Sequence, residues 1–388
     1  MKPDASLPEP SPQAALHSRN LTDFIRQDIR AHGGWISFAR YMELALYAPG
    51  LGYYTAGAHK FGEAGDFVTA PELSALFGRT LARQIAEIME NSSAHVLELG
   101  AGSGKLAVDI LGELERQNRL PDTYGILEVS ADLRARQQAL LGRHLPHLAD
   151  RVRWLDALPE TYSGAIIANE VLDALPVHLV RWENGAIDEI GVALGDAGFV
   201  WQQRPIADKA LMQAAEKIFP EGAAPDGYAS EICLAARGLV NSLACRLTQG
   251  AMLFIDYGFG AREFYHPQRA TGTLMCHYRH RAHDDPFYLP GLQDITAHVN
   301  FTDIAETGID AGLELLGYTS QAFFLINSGI TDFMQDAAPE NMHDYLPLSS
   351  QLQKLTSPAE MGELFKVIAL GKTPPLSGFS RGDLSRLL

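Results

Sequence analysis

The stretch LELGAGSGKLAVDIL, residues 97–111, constrains this chain more than any other. It runs an apolar strand pattern into a glycine cluster and out into a helix pattern, so the backbone must turn sharply at the end of a strand. Two familiar phosphate-binding loops fail on spacing. A Walker loop, G-x-x-x-x-G-K-[ST], would take its GK from Gly104-Lys105, but its first glycine would fall at Leu99 and its hydroxyl at Leu106. A dinucleotide fingerprint, G-x-G-x-x-G, started at Gly100 and Gly102 needs its third glycine at Lys105. What stands is Glu98-x-Gly100-x-Gly102-x-Gly104, an acidic residue followed by glycines at every second position, with Ala101 and Ser103 between them. Glycines so spaced let a ligand touch main chain where a Cβ would block it. The alternative is a strand-to-helix turn that is merely glycine-rich.

Around that turn, apolar runs alternate with helical patterns. AHVLEL reads as the first strand, and the helix after the glycines runs to about Asn118. YGILEVS is a second strand and ADLRARQQALL a helix. RVRWLDAL is a third strand and SGAIIANE a fourth. This order predicts a parallel sheet covered on both faces. The rhythm then breaks: VHLVRWENGAIDEIGVAL and GFVWQQRP read as antiparallel strands, with a hairpin at Asn184-Gly185. Helical patterns follow near 208–218 and 230–247, and GAMLFIDYG restores a fifth buried strand. Residues 258–301 read as an aromatic, His-rich loop. A helix near 302–316 precedes a sixth strand in YTSQAFFLI, and a helical stretch covers 328–336. FKVIALGK is a seventh strand, inserted antiparallel. Upstream, residues 20–47 carry two helical patterns. Thr69-x-x-Glu72 has capping-box form, with Pro71 in the first turn, and opens a helix to about Met89. The expected fold is α/β, a Rossmann-like seven-stranded sheet with its last strand antiparallel. The expected divisions are an N-terminal helical and loop region at 1–79, a core first half at 80–175 and an insertion at 176–247. The fifth strand at 248–257, a loop insertion at 258–301 and a C-terminal part at 302–388 complete the chain.

Composition narrows the partners. The 388 residues are 46% hydrophobic and 20% charged, which is a globular balance. The net charge of −16 comes without a Lys/Arg cluster, so nucleic acid is not expected and a cationic substrate is permitted. Cys233, Cys245 and Cys276 have no paired spacing, which suits a reducing compartment. No apolar run reaches membrane-spanning length, so membrane insertion is not expected. The first twenty residues lack the apolar core of a signal peptide and the Arg-rich character of a transit peptide. They read as a loose polar tail, and the cytoplasm is the expected location.

In an open α/β sheet, ligands bind beyond the carboxyl ends of the strands. The residues there are Gly100 to Gly104, Glu128, Asp156, Asn169-Glu170 and Asp256-Tyr257. Glu128 suits the two hydroxyls of a ribose; its plain alternative is a partner for the next helix N-terminus. Asp156 suits an adenine amino group or simply caps a turn. Asn169, Glu170 and Asp173 crowd one strand end, where a carboxylate can pair with a cationic nucleophile, a guanidinium above all. The alternative is a carboxylate facing a helix dipole. His277, His280 and His283 beside Cys276 invite a metal, but the spacing is wrong for zinc and no metal is expected. Ser103 has no G-x-S-x-G elbow, so a Ser-His-Asp hydrolase is not expected either.

YMELALYAPGLGYY, GDFVTAPELSALFG, the glycine stretch, LEVSADLRARQ, NEVLDALPVH, FIDYGF and PGLQDITAHVNFTDIA follow one another over about residues 20–325. Together they resemble the MidA-like class I methyltransferases. The resemblance implies the class I methyltransferase sheet with S-adenosylmethionine as cofactor, bound by Gly100, Gly102, Gly104 and Glu128. The cofactor set is completed by Glu98, Ala101, Ser103, Asp156, Asn169, Thr69 and Pro71, with Glu170, Asn169 and Asp173 at the reacting end. It further implies that residues 65–72 and 294–301 border the cofactor and acceptor cleft. Eukaryotic members of this family are mitochondrial and assist respiratory complex I assembly by methylating an arginine. The implied partner is therefore a protein, a respiratory-chain subunit among the candidates, and the expected reaction is methylation of an arginine nitrogen. Many relatives carry Arg near Met275 and Asp near Asn300, and the lack of a transit sequence suits a bacterial-type member. A small-molecule methyltransferase and a non-catalytic assembly factor that binds the cofactor are the alternatives.

Overall fold

The computed structural model describes residues 7–56, 69–219, 224–336 and 341–388. The first four residues of GDFVTAPE, 65–68, lie outside them. The chain divides into two units.

One unit comprises Val68–Leu172, Leu239–Ala261 and Val299–Leu388. Its sheet is built from β1 (His95–Leu99), β2 (Thr123–Leu127), β3 (Val152–Leu155), β4 (Tyr162–Asn169), β5 (Leu247–Phe259), β6 (Glu314–Ser320) and β7 (Phe365–Lys372). The spatial order is β6-β7-β5-β4-β1-β2-β3. Strands β1 to β5 run parallel, and β7 lies antiparallel between β5 and β6. A two-residue strand, Val299–Asn300, also pairs with β5, so among the described residues the sheet has eight strands where the sequence suggested seven. Residues 165–168 of β4 and 251–255 of β5 are no more than 2% exposed. Helices on both faces explain why these strands read as unbroken apolar runs. Burial of each large side chain contributes about 1.5–3 kcal/mol.

Two expectations about this unit need correction, and one helix is new. The helix expected from Thr69 is two pieces, Ala70–Leu73 and Ala75–Glu90. Thr69 makes no side-chain cap; extended Ser74 breaks the helix and caps the second piece through Leu76 N–H, at 3.1 Å. The sixth strand is Glu314–Ser320, and QAFFLIN forms a helix, Gln321–Asn327, capped by Ser320. A short apolar run does not distinguish strand from helix by period. A further helix, Met342–Thr356, breaks at no internal signal despite Pro347 and was not anticipated.

The other unit comprises Met1–Phe67, Asp173–Gly238 and Arg262–His298. Its first helix begins at Pro12, capped by Ser11, so much of the expected tail is helical. Residues 230–232, expected to open a helix, belong instead to the strand Tyr228–Ile232, antiparallel to His178–Glu183; helix Leu234–Ala244 follows. Asn184 and Gly185, with φ of 52° and 77°, make the expected hairpin. The presumed loop at 258–301 holds a three-stranded sheet of Met275–Tyr278, Arg281–His283 and Asp294–Thr296. Its tight turn is Arg279-His280, both at positive φ, which carries no Asn-Gly signature. That turn separates His280 from His277 and His283, and no metal-holding group of three or more His, Cys, Asp or Glu side chains occurs among the described residues. Nor is any described helix long and apolar enough to cross a membrane.

Candidate functional site

Strand register sets the site. Leu99 lies opposite Leu127 on one side and Ala168 on the other, and Leu127 lies opposite Leu155. The next residues therefore stand as one row at this end of the sheet: Asp156, Glu128 and Gly100 just past their strands, and Asn169 as the last residue of β4. In an open parallel sheet this carboxyl edge is where ligands bind.

The glycine loop occupies the middle of the row. Gly100, Gly102 and Gly104 have φ of 61°, 53° and 86°, which explains why glycine recurs at every second position. Gly100 N–H donates to Leu127 O at 3.0 Å, and Gly104 N–H to Ala101 O at 2.8 Å. Ser103 Oγ accepts from Lys105 N–H at 3.2 Å and donates to Glu72 in a short contact. Glu72 thus ties the helix Ala70–Leu73, which carries Pro71 and follows Thr69, to the loop. This explains why it does not reach back to Thr69 as a capping box would.

Glu128 is 5% exposed. Its Oε1 accepts from Ser130 N–H at 2.9 Å and its Oε2 from Gln137 Nε2 at 3.1 Å. Burial pushes its carboxyl up, against the pull of those hydrogen bonds and of nearby Arg134. Val129 N–H bonds the carboxylate as well, and the group keeps acceptor capacity for a further donor. Asp156 pairs with Arg134 at 2.7 Å with its side chain 91% exposed.

Glu98 lies below the loop, almost wholly buried, and accepts from Tyr124 O–H at 2.8 Å. Burial pushes its carboxyl up to about 7, the charge of Glu128 adding and the Tyr124 bond opposing. The folded chain therefore holds a proton that the unfolded chain releases near pH 4.5, and stability is lost as pH rises from there through 7. Glu98→Gln keeps an acceptor for Tyr124. At pH 8 it should unfold at higher denaturant than the parent, by about 2–3 kcal/mol, and the gap should close toward pH 4.5. Urea midpoints across that range check this; parallel curves would mean Glu98 titrates normally.

At the end of β4, Asn169 Nδ2 donates to Glu170 Oε1 at 3.0 Å. Glu170 has φ of 52°, unusual for a residue with a side chain, and its N–H is held by Ile255 O at 2.9 Å. Asp256, read as a strand-end residue, sits inside β5 instead. It accepts from Leu172 N–H and Tyr257 N–H, both at 2.9 Å, and so fixes the turn after Glu170. Asp173 belongs to the other unit, where its carbonyl accepts from Ala297 N–H at 3.0 Å. In the expected acceptor segment, Asn300 caps helix Phe301–Asp310 through Thr302 N–H at 3.2 Å, a task Asp performs equally.

Sequence reasoning missed Gln137. It is fully buried in helix Ala131–His144, and its Nε2 also reaches Gly102 O at 3.0 Å. Its Oε1 accepts from Trp154 Nε1 at 2.9 Å. The signal was available: Leu133, Gln137 and Leu141 fall four apart, so a polar residue stands on the buried stripe.

These residues fit an adenosine-bearing ligand. Glu128 can take a ribose diol, and the left-handed loop bares main chain for close approach. Asn169 Oδ1 is buried without a hydrogen-bond partner, a position that a ligand donor would satisfy.

Residues 80–319 match the family described as "Putative S-adenosyl-L-methionine-dependent methyltransferase". A crystal structure of a Burkholderia thailandensis protein bound to S-adenosyl-homocysteine is 51% identical, covers 99% of this chain and 100% of that one, and superposes with a TM-score of 0.94. The mitochondrial protein arginine methyltransferase NDUFAF7 of Danio rerio is 31% identical over 89% of this chain and 85% of its own. Its Drosophila melanogaster homolog is 30% identical over 95% of this chain and 89% of its own. With its glycine loop and its row of strand-end carboxylates, the chain belongs to this family of S-adenosylmethionine-dependent methyltransferases.

Proposed function

We propose that this enzyme methylates a nitrogen of a protein arginine. The observation that carries the reading is Glu170, a carboxylate at the end of β4 held at positive φ and steadied by Asn169. Backbone strain of this kind costs about 1–3 kcal/mol and gathers at functional sites. The names of the relatives at about 30% identity support the arginine.

When bound, the cofactor supplies a methyl group already activated on a sulfonium, so strong acid–base catalysis is not needed. Glu128 holds the ribose, and the glycine loop receives the rest of the nucleoside. Glu170 pairs with the guanidinium through charge-assisted hydrogen bonds, orients the attacking nitrogen and offsets its positive charge; on methylation that nitrogen sheds one proton to solvent, and the spent cofactor would leave as S-adenosylhomocysteine. Such positioning can lower a barrier by about 7–11 kcal/mol.

The test is methyl transfer from labelled cofactor into a lysate of a strain lacking the gene. The labelled species are separated into protein and small-molecule fractions and read by mass spectrometry. The reading predicts methylarginine in a discrete protein. Label confined to small molecules would replace it with a small-molecule acceptor. Cofactor binding without any transfer would favour an assembly factor.

A further inference from the structure

Gln137 reaches three strand ends at once. It lies between the carbonyl of Gly102 after β1, the carboxylate of Glu128 after β2 and the indole of Trp154 in β3. The orientation of its amide is determined by these neighbours. An indole only donates, a carbonyl and an ionised carboxylate only accept, so the oxygen must face Trp154 and the nitrogen must face the other two. Both amide protons are then used, one on Gly102 O and one on Glu128 Oε2. Gly104 makes room for this side chain, since a Cβ there would stand 3.1 Å from Gln137 Cγ and 3.2 Å from its Cα.

We propose that Gln137 is a positioning residue that couples the glycine loop to the ribose-binding carboxylate, so that both are set before the cofactor arrives. A carboxylate has about four acceptor positions. Ser130 N–H takes one on Oε1, Gln137 takes one on Oε2 and Val129 N–H takes a third, so these donors fix the plane of the carboxylate and turn its remaining capacity toward a ribose. The same amide holds the Gly102 peptide in its left-handed turn. Trp154 acts at one remove, by preventing the amide from flipping. The proposal rests on the reading of Glu128 as the ribose carboxylate.

The test is calorimetric titration with S-adenosylhomocysteine and with its 2′-deoxy analogue. The parent protein should prefer the diol ligand by about tenfold or more, because a site built to bond a hydroxyl rejects the analogue lacking it. Gln137→Met keeps the length of the side chain and removes both donors. It should weaken S-adenosylhomocysteine binding about 10- to 100-fold and shrink the preference for the diol below about threefold. Trp154→Phe keeps the ring and frees the amide, and should move both quantities the same way by about 3- to 10-fold. Parental affinity in Gln137→Met overturns the proposal. So does weakened affinity with the diol preference intact, since that describes a merely structural residue. If Gln137→Met does not unfold cooperatively, Trp154→Phe decides, and an unchanged preference there overturns the coupling. Glu128→Gln separates the two ideas. A parental diol preference in that variant overturns the ribose reading itself. Its loss there, with no change on altering Gln137, overturns only the coupling.

Discussion

Gly102→Val should lower the affinity for S-adenosylhomocysteine by at least about 100-fold while the protein still unfolds in one cooperative transition. Gly102 has φ of 53°, a region where an L-residue costs about 1–2 kcal/mol and a β-branched one more. The loop escapes that strain by rotating the 102 peptide, which breaks the bond from Gln137 Nε2 to Gly102 O. A strain of about 2–3 kcal/mol borne only in the binding conformation corresponds to about 30- to 150-fold in affinity. The branched side chain adds to this wherever ligand and main chain touch. The core of this unit lies in the sheet and its flanking helices, so the fold has no reason to fail with the loop. Calorimetric titration beside a urea melt checks both halves. Equal affinity in parent and variant would remove the glycine loop from the cofactor site.

Glu170→Gln should separate binding from turnover. It keeps the shape and the contact with Asn169 Nδ2 but removes the charge proposed to meet a guanidinium. Cofactor affinity should stay within about threefold, since ribose and loop contacts lie on other strand ends. Methyl transfer should fall about 30- to 1,000-fold, the effect of losing about 2–4 kcal/mol of charge-assisted contact in a desolvated site. Glu170→Gly sharpens the comparison. Glycine accepts a φ of 52° without strain, so this variant should be more stable by about 1 kcal/mol and nearly inactive. Stability gained as activity is lost marks a residue kept for chemistry. Unchanged turnover in Glu170→Gln would move attention to Asp173 or to the 294–301 segment.

The strand-end row was legible in the sequence because each parallel strand is an apolar run closed by a glycine or a polar residue. Leu99, Leu127, Leu155 and Ala168 mark a single level, and the residues after them form the candidate site. What escaped was whatever depends on long-range packing or on backbone angle. Gln137 looks like part of a solvated QQ pair until its helix is laid on the sheet. Glu170 shows no sign of its positive φ, which follows from the hold of Ile255 O on its N–H and of Asp256 on the turn beyond. Asp256 itself reads as one more strand-end carboxylate, yet its two backbone partners make it a brace. The hairpin at Arg279-His280 was invisible because residues with side chains occupy a turn that usually signals itself with Asn and Gly.

A crystal structure of this protein with S-adenosylhomocysteine tests the account most directly. The account predicts the ribose hydroxyls on the two oxygens of Glu128, the nucleoside against the Gly100–Gly104 main chain, and the sulfur directed toward Asn169 and Glu170. A ribose bound away from Glu128, or a sulfur facing away from the end of β4, would contradict it.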